Sequence, residues 1–398
     1  MTRPPLASFS LALVEAGSLP RRAGYVLLVL VVILGSADRS LGAPVYYSLP
    51  FSGQTTDLSS DGRVVVGYLG QAGQEGGAIR WTASGGVQRL TTQGQARGVS
   101  ADGSVVAGHS SDIDDVGNRS NAFRWTAASG LTNVFDVGNV KTYGISDDGA
   151  TIVGDYNDNG PRPFAWSATS GGRTLPIPNE QHNTSGSAYA IAGDGSSAVG
   201  LATFPNGRFG QLSRWTLNPD SNQALSPETN LFYPTVVGVS GDGSVIVGNE
   251  LLNPGWYWTS SMGYQRVPGQ VSAVSPDGRY VAYYSNYQTY LFDRVVQGSI
   301  DLGQIFVDEG LPDLRSSGFS VNAISGNAIQ GYNFTGGVAP WQSVPSPYLV
   351  RGVMAGSASV PEIDPAGIGS VAALLLGALG LAERRVAARV PRASSRRG

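Results

Sequence analysis

Across 398 residues the chain holds 55 Gly, 17 Tyr and 7 Trp but no Cys, so disulfides, thiolate metal sites and cysteine nucleophiles are excluded. The formal charge of -3 conceals an uneven layout: nine of the 26 basic residues sit near the two ends. The stretch between them holds roughly ten more acids than bases, which argues against nucleic-acid binding.

In chain order, the first feature is the uncharged run 25–34, Tyr-Val-Leu-Leu-Val-Leu-Val-Val-Ile-Leu, preceded by Arg21-Arg22 and followed by Gly35-Ser36-Ala37. Basic, apolar, then small is the order of a secretory signal peptide, here residues 1–37 with cleavage after Ala37 or, alternatively, after Ala43. No Cys follows the run, so a lipoprotein anchor is excluded.

From there one pattern recurs: Ser-x-Asp-Gly, a β-branched run, a variable stretch, a strand centred on Arg-Trp-Thr, then a Gly turn. Its clearest copies are Ser60-Asp61-Gly62-Arg63-Val64-Val65-Val66-Gly67 with Arg80-Trp81-Thr82, and Asp102-Gly103-Ser104-Val105-Val106 with Arg124-Trp125-Thr126. Glycines 62, 103, 149, 195, 243, 278 and 326 open seven copies, spaced 35 to 48 residues apart, the length of one four-stranded propeller blade. Asp-Gly supplies a turn at positive φ, the Val-rich and Trp strands follow, and segments such as Ala96-Arg97-Gly98-Val99-Ser100 lead into the next copy. Because each Trp occupies the same strand, it reads as the packing residue that fills the gap to a neighbouring unit.

The expected fold is therefore an all-β, seven-bladed propeller over residues 44–350, with helices scarce outside the ends. The seventh copy contributes Ala328–Tyr332 and Val338–Ser343, and the N-terminal segments Val45–Leu49 and Thr55–Ser59 are expected to complete that blade and close the ring. Ala122-Phe123-Arg124-Trp125 and Phe164-Ala165-Trp166, with the Val-Val-Gly strands before them, resemble the extracellular HAF repeats of secreted bacterial proteins. That resemblance implies a location outside the cell and no particular activity.

Chemistry is sparse. His109 in Gly-His-Ser-Ser and His182 in Glu-Gln-His-Asn-Thr read as solvated loop residues, and no nucleophile elbow, zinc His pair or phosphate loop appears. Asp155-Tyr156-Asn157-Asp158-Asn159-Gly160 matches the first half of a calcium loop, with donors Asp155, Asn157 and Asn159, but Trp166 stands where the twelfth-position Glu belongs. Two readings stay open: a calcium site, the one cofactor the chain suggests, or an ordinary turn. Tyr283-Tyr284-Ser285-Asn286-Tyr287 is either a sugar-stacking loop or a plain polar rim.

The chain ends with a linker, 351–365, carrying Pro361-Glu362, an uncharged stretch 366–382, and a basic tail, 383–398, opening with Glu383-Arg384-Arg385. Seventeen residues at helical rise span about 25 Å, the short end of a membrane crossing, and the Arg cluster would hold the tail on the cytoplasmic side. Pro-Glu, apolar span and Arg cluster together resemble the PEP-CTERM sorting signal of bacterial surface proteins. The resemblance implies an exosortase-type membrane protease as partner, acting near Pro361-Glu362, with Arg384 and Arg385 completing the signal. A plain C-terminal anchor that is never cut is the alternative.

Taken together, these readings describe an exported, non-enzymatic surface or matrix protein whose rigid ring displays loops for polysaccharide or protein. The alternative is a secreted propeller glycoside hydrolase or polysaccharide lyase, which needs carboxylates converging on a tunnel mouth.

Overall fold

Tight Asp-Gly hairpins and short β-branched runs build a ring of seven four-stranded antiparallel sheets in the computed structural model. The structure describes residues 44–351 apart from 71–75, 113–118, 178–184, 203–210, 226–233, 252, 316–317, 327 and 336–343. The signal peptide, His182, Trp341, the sorting motif, the expected membrane helix and the basic tail lie outside the described residues. Blades 1 to 6 occupy 53–89, 95–135, 140–174, 186–224, 234–266 and 270–301. Among the described residues the one helix of the ring is Leu302–Asp308, between blades 6 and 7, and no helix is long and apolar enough to cross a membrane.

Each blade opens with an inner strand that turns into the second, through Ser-x-Asp-Gly in five blades, Ala192-Gly193-Asp194-Gly195 in blade 4 and Ser325-Gly326 in blade 7. In blade 1, Ser59 Oγ donates to Asp61 Oδ1 at 2.7 Å and accepts from Val64 N at 3.0 Å, while Gly62 adopts a φ of 65°. The same trio recurs at Ser100, Ser146, Ser240 and Ser275. This turn corrects one expectation. The strand before an Asp-Gly turn must pair with the strand after it, so Gly53–Leu58 is the inner strand of blade 1 and does not belong to blade 7.

Blade 7 instead takes three strands from the C-terminal side, Phe319–Ser325, Ala328–Thr335 and Val344–Arg351, and one from the N-terminal side, Val45–Ser48, as its outermost strand. Only one of the two expected N-terminal contributions is made, and the third strand is Val344–Arg351 where Val338–Ser343 was expected. The ring is nonetheless closed. Asn322 Nδ2 donates to Thr55 O at 2.8 Å, and Arg351 Nε donates to Gly62 O at 2.9 Å. Arg351, expected to open the linker, thus ends a strand and fastens blade 7 to blade 1.

There is no single core. Buried apolar side chains of the described residues form seven clusters, one at each interface between successive blades. Trp81 joins Leu49, Leu58, Ala328 and Leu349 between blades 7 and 1; Trp125 packs with Val64, Ala78 and Ala96 between blades 1 and 2. Trp215 and Trp258 do the same two and three interfaces further on, and Phe292 serves blades 5 and 6. Each such residue faces the blade before its own, as the packing reading of the Trp strand expects. Truncating a buried aromatic of this kind costs about 3–5 kcal/mol.

The Arg beside these Trp residues is a second fastener. Arg80 Nη2 donates to Gly103 O at 3.3 Å, Arg124 Nε to Gly149 O at 3.4 Å, and Arg214 Nη2 to Gly243 O, each reaching the next blade's Asp-Gly turn. Backbone bonds between turns, Ser60 N to Ala101 O, Ala101 N to Asp147 O and Asp147 N to Gly193 O, run around the same face of the ring. The other face carries the turns between second and third strands and the connections from blade to blade.

Candidate functional site

All seven inner strands carry a β-bulge at one equivalent place, marked by a register shift against the second strand. A bulge re-aims the extra side chain, and here it adds one residue per blade to the wall of the central tunnel. The bulged residues are Thr56, Arg97, Tyr143, Tyr189, Val237, Ser272 and Asn322, and all seven line a tunnel cavity of about 230 Å³ in the half nearer the Asp-Gly turns.

The position after each bulge is small: Gly98, Gly144, Ala190, Gly238, Ala273 and Ala323. A Cβ on Gly98 would come within 2.8 Å of Ile145 Cγ2, because the next blade presses against it. Blade 1 alone departs, with Asp57. Its carboxyl accepts Leu58 N at 2.8 Å through Oδ1 and Val99 N, on blade 2, at 2.9 Å through Oδ2. Burial pushes this carboxyl up to about 7; the two N–H bonds pull against that rise, and the Asp147 charge adds to it. Asp57 keeps some surface toward the tunnel while protein surrounds it on its other sides. Asp147, at the cavity rim, is also held above the usual carboxylate range by partial burial and by Asp148 and Asp194.

Arg97 is the one basic residue of the cavity wall. Among the described residues, no carboxylate pairs with it and its buried Nε has no hydrogen-bond partner; Ser272 Oγ is likewise unpartnered. Other bulged side chains are committed. Thr56 Oγ1 donates to Ala96 O at 2.9 Å, Asn322 holds Thr55, and Tyr143 donates to Asp155 while its ring meets Tyr189 edge-on at 5.0 Å.

His109 corrects the sequence reading. It is 5% exposed, inside the strand Val105–Ser110, and its Nδ1 accepts Thr142 N at 3.3 Å. Burial, reinforced by Arg97 and Lys141, drives its imidazole down to about 3, so it is neutral in the folded protein at ordinary pH.

The proposed calcium donors serve different purposes. Asp155 is buried in its strand, accepting from Ser187 and Tyr143, and burial raises its pKa against those bonds and Lys141. Asn157 Oδ1 accepts Gly160 N at 3.1 Å across the hairpin, and Asn159, at a φ of 52°, donates from Nδ2 to Asp158. The ordinary-turn reading accounts for these contacts. Among the described residues no group of three His, Cys, Asp or Glu could hold a metal.

On the opposite face, the hairpin between Tyr280–Ser285 and Gln288–Asp293 turns on two residues, Asn286 and Tyr287, at φ of 50° and 64°. Such a turn favours Asn-Gly, since both central residues are left-handed. Tyr287 stands in the Gly place and is 73% exposed, its ring 6.5 Å from Tyr284 in an edge-on pair. Tyr283, by contrast, is buried, with its hydroxyl donating to Ser299 Oγ at 2.8 Å.

Sequence reasoning missed the tunnel residues. Stacking the segments before each Asp-Gly turn would have exposed a column of Gly and Ala broken only by Asp57, with Arg97, Tyr143 and Tyr189 in the column before it.

No family model matches the chain, and no curated protein matches it. Among solved structures, TolB from Acinetobacter baumannii is similar at 13% identity and a TM-score of 0.40, over 68% of this chain and 66% of its own, just under two thirds of that protein's length. A TolB-type protein from Agrobacterium tumefaciens is similar at 14% identity and a TM-score of 0.40, over 65% of this chain and 87% of its own.

Proposed function

We propose that this protein is an exported, non-enzymatic surface or matrix propeller that binds polysaccharide through the face opposite its Asp-Gly turns. The observation that carries the reading is Tyr287. A left-handed non-Gly residue costs on the order of 1–3 kcal/mol, and here it places an aromatic ring in solvent at a hairpin tip with a second ring, Tyr284, beside it. Two tyrosines so arranged offer a sugar a face to stack on and hydroxyls to bond. The tunnel carboxyls support the non-enzymatic side. Both oxygens of Asp57 are taken by backbone N–H groups, and Arg97 shares the cavity, which is unlike a pair of free carboxylates poised for glycoside cleavage.

Export follows in this reading from the signal peptide 1–37, and surface release or retention from Pro361, Glu362, Arg384 and Arg385, with the span 366–382 as a transient anchor for an exosortase-type protease. Intact mass of native protein from the cell exterior should give a chain starting at Asp38 or Pro44 and ending near Pro361. A full-length C-terminus confined to membranes would remove the sorting step. For binding, Tyr287→Gly should weaken retention of the protein on immobilised polysaccharide from the same cells at least tenfold. Equal retention of the variant would remove the loop-face reading.

A further inference from the structure

The tunnel cavity lies at the other end of the ring from Tyr287, and its one basic side chain, Arg97, meets no carboxylate among the described residues. A guanidinium that meets no carboxylate keeps its charge and its outer N–H donors for another acceptor. Arg97 is in that position, and the Ser272 hydroxyl, across the tunnel on blade 6, also has no hydrogen-bond partner among the described residues. The planar guanidinium fork matches a carboxylate in a bidentate way. The cavity, at about 230 Å³, is smaller than the roughly 300–1,000 Å³ of sites for drug-sized ligands, so it suits one small molecule or the end of a chain, not a polymer laid across it.

The rest of the wall narrows the chemistry. Asp147 at the rim is an acceptor that would repel a bare anion but would take hydroxyl donors. Ser272 Oγ both donates and accepts. The rings of Tyr143 and Tyr189 meet edge-on beside the bulge that carries Arg97, giving an apolar flank against which a sugar ring packs. A ligand with a carboxylate at one end and several hydroxyls on a ring satisfies all of these at once; phosphate supplies the charge without a ring to pack on the tyrosines, and a neutral sugar leaves Arg97 without a counter-charge.

We infer that the tunnel half facing the Asp-Gly turns is a binding site for a hydroxylated carboxylate of sugar-acid type, with Arg97 holding the carboxylate and Ser272 and Asp147 bonding the hydroxyls. This site is separate from the loop face, so either can fail alone.

The test is calorimetric titration of the full chain in mild detergent with sodium glucuronate, and in parallel with glucose and inorganic phosphate. Glucuronate should bind at least tenfold more tightly than either; Arg97→Gln should weaken it at least tenfold and Ser272→Ala two- to fivefold. Equal binding of glucuronate by Arg97→Gln, or binding of glucose or phosphate as tight as that of glucuronate, would overturn the inference. Should Arg97→Gln fail to fold, the Nε–H resonance of Arg97 in the unaltered protein decides: a shift with glucuronate and none with glucose supports the site, and no shift with glucuronate removes it. Retention on polysaccharide through Tyr287, measured on the same samples, reports the loop face independently.

Discussion

The two faces of this ring meet the same backbone requirement in different ways. On one face, six Asp-Gly turns and the worn seventh each need a residue at positive φ, and every one uses Gly, at 51° to 73°. On the other, the blade 6 hairpin needs two such residues and uses Asn286 and Tyr287. At these seven turns the residue without a Cβ is used. At Tyr287 a bulky residue takes such a place instead, with its ring projecting into solvent.

The largest expected effect tests the Asp-Gly face. Gly62→Ala forces a Cβ into the left-handed region and to within 2.6 Å of Ala328 Cβ across the closure of the ring. Backbone strain of about 1–2 kcal/mol and overpacking of about 1–3 kcal/mol should together cost about 3 kcal/mol in denaturant unfolding. Gly86→Ala has the same φ of 65° but nothing within 4 Å of the added Cβ, so only about 1 kcal/mol should be lost. Equal losses would mean that contact across the seam adds nothing.

Two buried titrating groups, one on the tunnel wall and one on the second strand of blade 2, give opposite pH responses. Asp57, in the Asp-Gly half, has a folded pKa of about 7 against an ordinary 3.8, so the folded state holds the extra proton between those values and its stability falls as pH rises through them. His109, between blades 2 and 3, has a folded value of about 3 against 6.5, so the unfolded state holds the extra proton and stability rises with pH over that range. Each slope is at most about 1.4 kcal/mol per pH unit, and between pH 4 and 6.5 they oppose each other. Asp57→Asn should therefore gain stability relative to the parent on going from pH 5 to pH 7. His109→Asn, which keeps an acceptor for Thr142 N, should lose its deficit relative to the parent as pH falls from 6.5 to 4. Parallel pH profiles for parent and variants would show that neither group titrates as its burial requires.

The blade count and the Trp ladder were legible because both follow from local chemistry repeated along the chain. An Asp-Gly turn forces a hairpin, and one aromatic per unit must fill one gap per interface. Phe319–Ser325 was not legible as an inner strand, since the turn that follows it, Ser325-Gly326, lacks the Asp-Gly pair that marks the other six. His109 was misread because the strand continues through Ser110 beyond the Val-Val-Ala-Gly run. The tunnel ring escaped notice for a related reason. A bulge breaks the two-residue alternation on which strand reading depends, so Arg97, Tyr143 and Tyr189 look like out-of-register residues until the second strand is laid beside them. The value of Asp57 depends on Val99 N, 42 residues away on another blade, which no local pattern contains.

The smallest expected effect tests the other side of the comparison. Tyr287→Gly removes a left-handed non-Gly residue from a two-residue turn that favours Asn-Gly, relieving about 1–2 kcal/mol of strain. Against this stands the added freedom of Gly in the unfolded chain, about 0.5–1 kcal/mol, and the loss of one edge-on contact with Tyr284. A net gain of a few tenths to about 1 kcal/mol is expected, read as a rise in the denaturation midpoint at unchanged slope. A variant that is more stable yet no longer retained on polysaccharide would separate the two roles cleanly: the fold prefers Gly there, and binding requires Tyr. A variant that loses stability would instead mean that Tyr287 is held by contacts of its own, and the strain would no longer point to the loop face.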